Sequence, residues 1–391
     1  MFDIEKIRAE IPTVEKMTYL NTGWSGPTPT YVVEAIEQRL EYESYNGPTT
    51  SDVLESGLGI RTRAKAAVAK LFNATPEEIL LTENTTEGLN VVINGLRFDR
   101  GDEVIVCDLE HPSVLLPAYN LRANHDVTVK IVCPKPNATA EEVADMYAGA
   151  MSTRTRLVFF SHVQYSSGLR MPVAEIAARA HEFGAQVLVD GAQGPGHVAL
   201  DMGALGVDFY SSPGQKWLLG PDQTGALFIR RDRVPELQPS RIGYAFAESW
   251  DLKGGFVPAR DDIDKFMVST TSMPLRAGYL AAVERMLELG PGEIEVRNLS
   301  LASRLRTALS DTPGVRVLSP MEGPECSGLV TFAVDGVDNE VVAGRLWSDN
   351  TILVRAISHP QAVRASTSFF NTEAEVDALA DAVRIWSADA R

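Results

Sequence analysis

The sequence predicts an α/β fold: a large domain on a mostly parallel seven-stranded sheet, with a smaller C-terminal α/β domain. Three observations predict it. Short apolar runs alternate with helical stretches from about residue 79 to 230, the pattern of a parallel sheet covered by helices. Between Val234 and Asp264 the pattern breaks into Pro, Gly and charged residues, with Gly254-Gly255 at its middle, marking a domain margin or an active-site loop. Long helical stretches with few strands then run to the end of a chain of 391 residues, more than one simple core accommodates. The expected division is an N-terminal segment 1–20 packing with the small domain, a large domain 21–265 and a small domain 266–391.

In chain order the strand-like runs are "EILLTE", "DEVIVCD", "VTVKIVC", "TRLVFFSH", "AQVLVDG", "VDFYSS" and "GALFIRR". One intervening helix is explicit: "PVAEIAARAHEFG" puts Val173, Ile176, Ala177, Ala180 and Phe183 on one face, with Pro172 opening it and Gly184 closing it. After the break, "PLRAGYLAAVERMLELG" begins the small domain. In its last helix, "TEAEVDALADAVRIWS", Glu375 stands three residues past a Thr372 N-cap, as in a capping box.

Composition narrows the function. Hydrophobic residues make up 45% and charged residues 23% of the chain, ordinary for a globular protein. A net charge of −16 with no Lys/Arg cluster repels a phosphate backbone, so no nucleic-acid partner is expected. No apolar run is long enough to span a bilayer, and "MFDIEKIRAEIPTVEKMTYL" lacks a signal-peptide core, so the expectation is a cytoplasmic protein without a membrane partner. Cys107 and Cys133 lie in strand-like runs, as small buried hydrophobes do, and Cys326 follows a Pro/Gly-rich turn; the three form no disulfide framework. Six histidines make no HxxxH or HxH pair, and no metal is expected.

Open parallel sheets deliver reactive side chains at the carboxyl ends of their strands, and four ends here carry polar residues. "ILLTENTTEG" ends before Thr85 and Thr86, which open a helix as a phosphate cradle or a plain N-cap. "VIVCDLEHPS" ends at His111, structural or catalytic. "VLVDGAQ" delivers Asp190 and Gln193; a carboxylate leaving a buried strand needs a cationic or hydrogen-bonding partner, or else caps the next segment. "VDFYSSPGQKWLLGP" delivers Lys216, 26 residues after Asp190, one crossover unit. Taken alone it reads as a surface lysine. Together, a phosphate cradle, a stacking ring, an acid and a lysine in that order match what pyridoxal 5'-phosphate requires: an amine for its aldehyde, an acid for its pyridine nitrogen and an anchor for its phosphate. Trp24 and Trp217 either wall this site or simply pack. No G-x-G-x-x-G follows an early strand, which argues against a nicotinamide enzyme.

From "YLNTGWSGPTP" through "TENTTEGLN", "LEHPS", "VDGAQ" and "GQKWLLGPDQTGAL" to "VRASTSFFNTEAEVDAL", the chain resembles the class V aminotransferase family. These are fold-type I pyridoxal phosphate enzymes that include cysteine desulfurases, cysteine C–S lyases and isopenicillin N epimerase-like proteins. The resemblance implies Lys216 as the cofactor-anchoring lysine and Cα base, Asp190 on the pyridine N–H, Gln193 on the phenolic oxygen and His111 stacked on the ring. It implies Thr85 and Thr86 on the phosphate, Thr270 reaching it across a homodimer interface, Arg364 on the substrate α-carboxylate, and Asn21 and Gly23 lining the substrate side.

Departures from the family pattern bear on the reaction. The usual S-x-H-K reads Pro213-Gly214-Gln215-Lys216, leaving Ser211, Ser212 and the Gln215 amide as phosphate donors. Tyr165 stands where desulfurases carry an asparagine, so Tyr165 or Ser166 would face the substrate. The loop "LVRAISHPQAVRAS" lacks the persulfide-forming cysteine of desulfurases and holds Arg355 and His359 instead. With no thiol relay, the expected reaction is β-elimination from cysteine, cystine or a cysteine S-conjugate, giving pyruvate and ammonia. The alternatives are transamination, epimerization or decarboxylating oxidation of an amino acid. A cofactor-binding regulator without turnover is disfavoured by the joint presence of the lysine, aspartate and arginine.

Overall fold

The structure, a computed structural model, describes residues 3–389. Residues 1, 2, 390 and 391, which the expected N-terminal segment and small domain include, lie outside the described residues. The central sheet has seven strands: β1 (Ile79–Thr82), β2 (Glu103–Cys107), β3 (Thr128–Val132), β4 (Thr155–Ser161), β5 (Gln186–Asp190), β6 (Phe209–Pro213) and β7 (Gly225–Ile229). Their order is β1-β7-β6-β5-β4-β2-β3. All neighbours are parallel except β7, which runs antiparallel to both β1 and β6.

The strands read as apolar runs because both faces of the sheet are covered. Every residue of β2, β5, β6 and β7 is buried. Alternate residues feed two cores: Ile105, Val158, Val187 and Val189 on one side, Val104, Val106, Leu157, Phe159 and Leu188 on the other. Strand β3 is an edge with a half-exposed pattern. It stops at Val132, so Cys133 stands outside the sheet and is exposed rather than buried, while Cys107 and Cys326 are buried.

The helix after β4 spans Val173–Glu182 and buries Val173, Ile176, Ala177 and Ala180. Phe183 departs from the expected face: it is the C-cap and 38% exposed, because the helix ends one residue before it. Gly184 follows at φ +75°, the left-handed conformation that terminates a helix without a Cβ penalty.

A second sheet holds β8 (Val315–Val317), β9 (Leu329–Val334), β10 (Arg355–Ser358) and β11 (Gln361–Ser366) in the antiparallel order β8-β9-β11-β10. Its own core joins Leu301, Leu305, Phe332, Leu346, Val363 and Leu379. The last helix is capped as its sequence suggests: Glu375 N–H donates to Thr372 Oγ1 (3.2 Å) and Thr372 N–H to Glu375 Oε2 (3.0 Å). The N-terminal segment touches both halves. Thr18–Tyr19 pairs with Ile352–Leu353 and Arg8 meets Glu375, while Ile7, Ile11 and Val14 enter the core of the large sheet. Residues 247–258 form an antiparallel hairpin with Gly254 at φ +98° near its tip and Trp250, Leu252 and Phe256 exposed. Among the described residues no helix is long and apolar enough to cross a membrane.

Candidate active site

The carboxyl ends of β1, β2, β4, β5 and β6 converge on a cavity of about 240 Å³. Thr85, Thr86, His111, Tyr165, Asp190, Gln193, Gln215, Lys216 and Arg355 all line it. A larger cleft of about 1070 Å³ lies between the helix Ser51–Phe72 and the 247–258 hairpin and contains none of the expected site residues. The hairpin does not reach the smaller cavity within this chain.

The floor is the connection from β6 to β7. Its backbone is tied down by Gly220 N–H to Gly214 O (2.9 Å), Leu219 N–H to Lys216 O (3.1 Å) and Gly26 N–H to Gln215 O (2.6 Å). Gly26 permits this approach, since a Cβ there would stand 2.3 Å from Lys216 O. Burial pulls the Lys216 amine down to about 8; Asp190 opposes that shift, while Arg364 and Arg355 add to it. Asp190 accepts from Ala192 N–H (2.8 Å), and burial pushes its carboxyl upward against the pull of Lys216. A cationic N–H placed beside Asp190 would relieve that burial cost.

One wall is a hydroxyl chain. His111 caps the helix Pro112–His125, its Nδ1 accepting from Ser113 N–H (3.2 Å). Ser113 Oγ lies 3.0 Å from His111 Nδ1 and 2.9 Å from Thr86 Oγ1. The His111 ring meets Tyr165 edge-on at 5.3 Å. Burial, with Lys216 and Arg355 nearby, lowers its pKa to about 4, so the ring is neutral at pH 7. The helix Thr85–Gly95 presents its N-terminus alongside, seated so closely that a Cβ on Gly88 would meet Ser211 Oγ at 2.2 Å.

From the second sheet Arg355 lines the cavity, and the expected Arg364 does not. Arg364 on β11 and Arg355 on β10 are cross-strand partners, two cations placed directly opposite each other, an arrangement that destabilises a sheet unless an anion joins them. Arg364 is fully buried. Its Nη1 donates to Tyr165 O (2.9 Å) and its Nη2 to Asn21 Oδ1 (3.5 Å), while Nε has no hydrogen-bond partner among the described residues. Burial, then Arg355, lowers it to about 9. The Arg355 guanidinium lies 4.3 Å from the centre of the Trp24 ring and 6.0 Å from that of Tyr165. Among the described residues neither arginine has a carboxylate partner.

The remaining expected residues sit off the lining. Gly23 contributes its carbonyl, which accepts from Gln193 Nε2 (2.8 Å). Ser166 is buried and its hydroxyl donates to Leu109 O (3.5 Å), so it turns away from the cavity that Tyr165 faces. Ser211 donates to Thr85 O (2.9 Å), holding the helix N-terminus rather than a ligand. Thr270 lines a different cavity, with Arg39, Gly57 and Met273, and this chain alone does not bring it to Lys216. No cysteine lines the site; Cys326 Sγ rests against Pro320 O (3.4 Å). Ser113 and Ser161 line it without having been singled out in the sequence; only the position of Ser113 in the first turn after "EHP" gave any sign.

These donors fit pyridoxal 5'-phosphate. Among the described residues, buried Thr85 Oγ1 and Ser212 Oγ have no hydrogen-bond partner, a helix N-terminus begins at Thr85, and an acid and an amine line the same cavity. Among the described residues no group of three or more His, Cys, Asp or Glu side chains is placed to hold a metal ion.

Comparison with known proteins gives a consistent result. The family described as Aminotransferase class-V matches residues 18–379. A probable cysteine desulfurase of Methanothermobacter thermautotrophicus is 30% identical, the alignment covering 96% of each chain. An isopenicillin N epimerase of Streptomyces clavuligerus is also 30% identical, over 97% of this chain and 98% of that protein. Among solved structures, the cystine C–S lyase C-DES with its reaction product cysteine persulfide superimposes with a TM-score of 0.89 at 29% identity, covering 96% of this chain and 99% of the other. A mutant of C-DES carries glycine covalently linked to its PLP cofactor.

Proposed function

Because the chain belongs to the class V aminotransferase family, a family of pyridoxal phosphate enzymes, we propose that it is a carbon–sulfur lyase. The proposed reaction is β-elimination from cysteine, cystine or a cysteine S-conjugate, yielding a thiol or persulfide, pyruvate and ammonia. The observation that carries this reading is the opposed pair Arg355 and Arg364, without a carboxylate partner among the described residues, of which Arg355 lines a cavity that holds Lys216 and no cysteine.

When bound, the cofactor supplies the electron sink for the pair left at Cα once its proton is removed. The chain's own residues do the rest. Lys216 Nζ, with its pKa near 8, takes the Cα proton close to neutral pH. Asp190 holds the pyridine N–H, neutral His111 covers the ring, and Thr85, Thr86 and Gln215 receive the phosphate. Arg364 grips the α-carboxylate with a guanidinium whose orientation Tyr165 O and Asn21 Oδ1 set. Arg355, propped on Trp24, is placed for a second carboxylate, which favours cystine among the candidates. The similarity to C-DES supports the same choice. A sulfur leaving group departs without a protein thiol to receive it. We further propose a cytoplasmic homodimer in which Thr270 of one protomer completes the phosphate site of its partner; three free cysteines suit a reducing compartment.

The epimerase relatives support a second reading: transamination, epimerization or decarboxylating oxidative deamination of an amino acid. Product analysis separates the two. Holoenzyme incubated with cystine and with several cysteine S-conjugates is assayed for pyruvate and for persulfide or thiol, with Lys216→Ala as control. Stoichiometric pyruvate with persulfide from cystine, or with thiol from a conjugate, supports the lyase. Cα–H exchange or racemization without pyruvate overturns it in favour of the second reading.

A further inference from the structure

We infer that Trp217 and His197 are positioning residues that fix which end of the Gln193 amide is offered to the bound cofactor. The inference rests on the reading of Gln193 as the partner of the cofactor's phenolic oxygen. Gln193 lines the cavity, and both ends of its amide are already engaged: Trp217 Nε1 donates to Oε1 (2.7 Å), and Nε2 donates to Gly23 O (2.8 Å). An indole N–H only donates and a backbone carbonyl only accepts. Turning the amide over would set N–H against N–H and oxygen against oxygen. Its one unused hydrogen is therefore on Nε2, and that hydrogen suits an anionic oxygen.

The indole is itself held in place. His197 stacks on Trp217 at 3.7 Å between ring centres, with the planes 8° apart, and both side chains are 1% exposed. The imidazole is pinned at both nitrogens: Nδ1 donates to Gln193 O (2.8 Å), and Nε2 accepts from Gly328 N–H (2.7 Å). Only the neutral ring with its proton on Nδ1 satisfies both bonds. Position 328 has to be glycine for this approach, since a Cβ there would stand 2.8 Å from His197 Nε2. Gly328 leads into β9 of the second sheet, whereas Gln193 and Trp217 follow strands of the first. The orientation of one cofactor-facing amide is thus tied to how the two sheets meet. Trp217 also follows Lys216 directly, so the residue that sets the amide shares a backbone with the amine.

The test uses the holoenzyme. Trp217→Phe removes the indole N–H and keeps a ring for His197 to stack on. Loss of a constant donor destabilises the anionic oxygen, so the pH midpoint of the bound chromophore, followed by absorbance, rises by about half to one unit. The PLP dissociation constant rises about fivefold. His197→Phe, which keeps the stack and releases Gly328, shifts the midpoint the same way by less, and stands in if the Trp217 variant does not fold. Gln193→Ala shifts it furthest. If Gln193→Ala shifts the midpoint and neither aromatic variant does, the positioning role is overturned and the reading of Gln193 stands. If Gln193→Ala titrates like the unaltered protein, the reading of Gln193 fails and the inference falls with it.

Discussion

Two regions of this molecule each hold a lysine whose amine burial pulls down to about 8, Lys216 in the connection after β6 and Lys265 in the segment after the 247–258 hairpin. Their surroundings differ. Lys265 Nζ donates to Val234 O (2.6 Å) and Arg260 O (2.9 Å) and lies 5.0 Å from the Phe266 ring centre, tying together a segment with little regular structure. Lys216 instead lines a cavity together with Asp190 and Arg355, and Arg355 stands opposite Arg364 across the strands. A depressed pKa marks a desolvated amine; unspent donors beside an open volume mark a chemical one.

The comparison breaks first if Lys216 is dispensable. Lys216→Ala is expected to reduce pyruvate release from cystine at least about a thousandfold, whereas Lys265→Met leaves steady-state turnover within about twofold. Next in size is the buried guanidinium. Arg364→Ala should lower kcat/KM about a hundredfold, and Arg364→Lys should recover little of it because a point charge does not replace the planar fork. Smaller again is the partly exposed one: Arg355→Ala should raise KM for cystine about tenfold and leave S-alkyl cysteines, which lack a second carboxylate, nearly unchanged. The smallest effect concerns stability. Lys265 has a folded pKa near 8, below the 10.5 of an ordinary lysine, so between those pH values the unfolded chain binds more protons and this residue's contribution to stability increases as pH rises. In holoenzyme denaturation series from pH 8 to 10.5, Lys265→Met should flatten that rise; an unaltered slope would remove Lys265 from the account.

Much of this was legible in the sequence, for a physical reason. Strands buried on both faces must be apolar throughout, so β2, β4, β5 and β6 announce themselves, and parallel pairing then forces their polar ends to one edge of the sheet. That is why Asp190, His111 and Lys216 could be grouped from the sequence, with Thr85 and Thr86 beside them. What escaped depended on a single residue of register or on contacts made through space. Phe183 fits the helical period but lies one residue past the last turn. Cys133 continues an apolar run that the edge strand does not follow. Ser113 joins His111 to Thr86 across two separate helices, a link that spacing does not encode. The opposition of Arg355 and Arg364 requires knowing that the chain reverses between Ser358 and Gln361.

The reversed strand β7 has one more consequence. Pro213 and Gly225 face each other across β6 and β7, so the span carrying Lys216 leaves and re-enters the same edge of one sheet, and Gly26 clasps it from outside through Gln215 O. The amine is a peg on a fastened base. Its travel is an arc swept by its own side-chain torsions, with no stroke from the backbone beneath it. Reactants have to be brought within that radius, and choosing among them falls to the guanidinium wall that the other sheet holds against it.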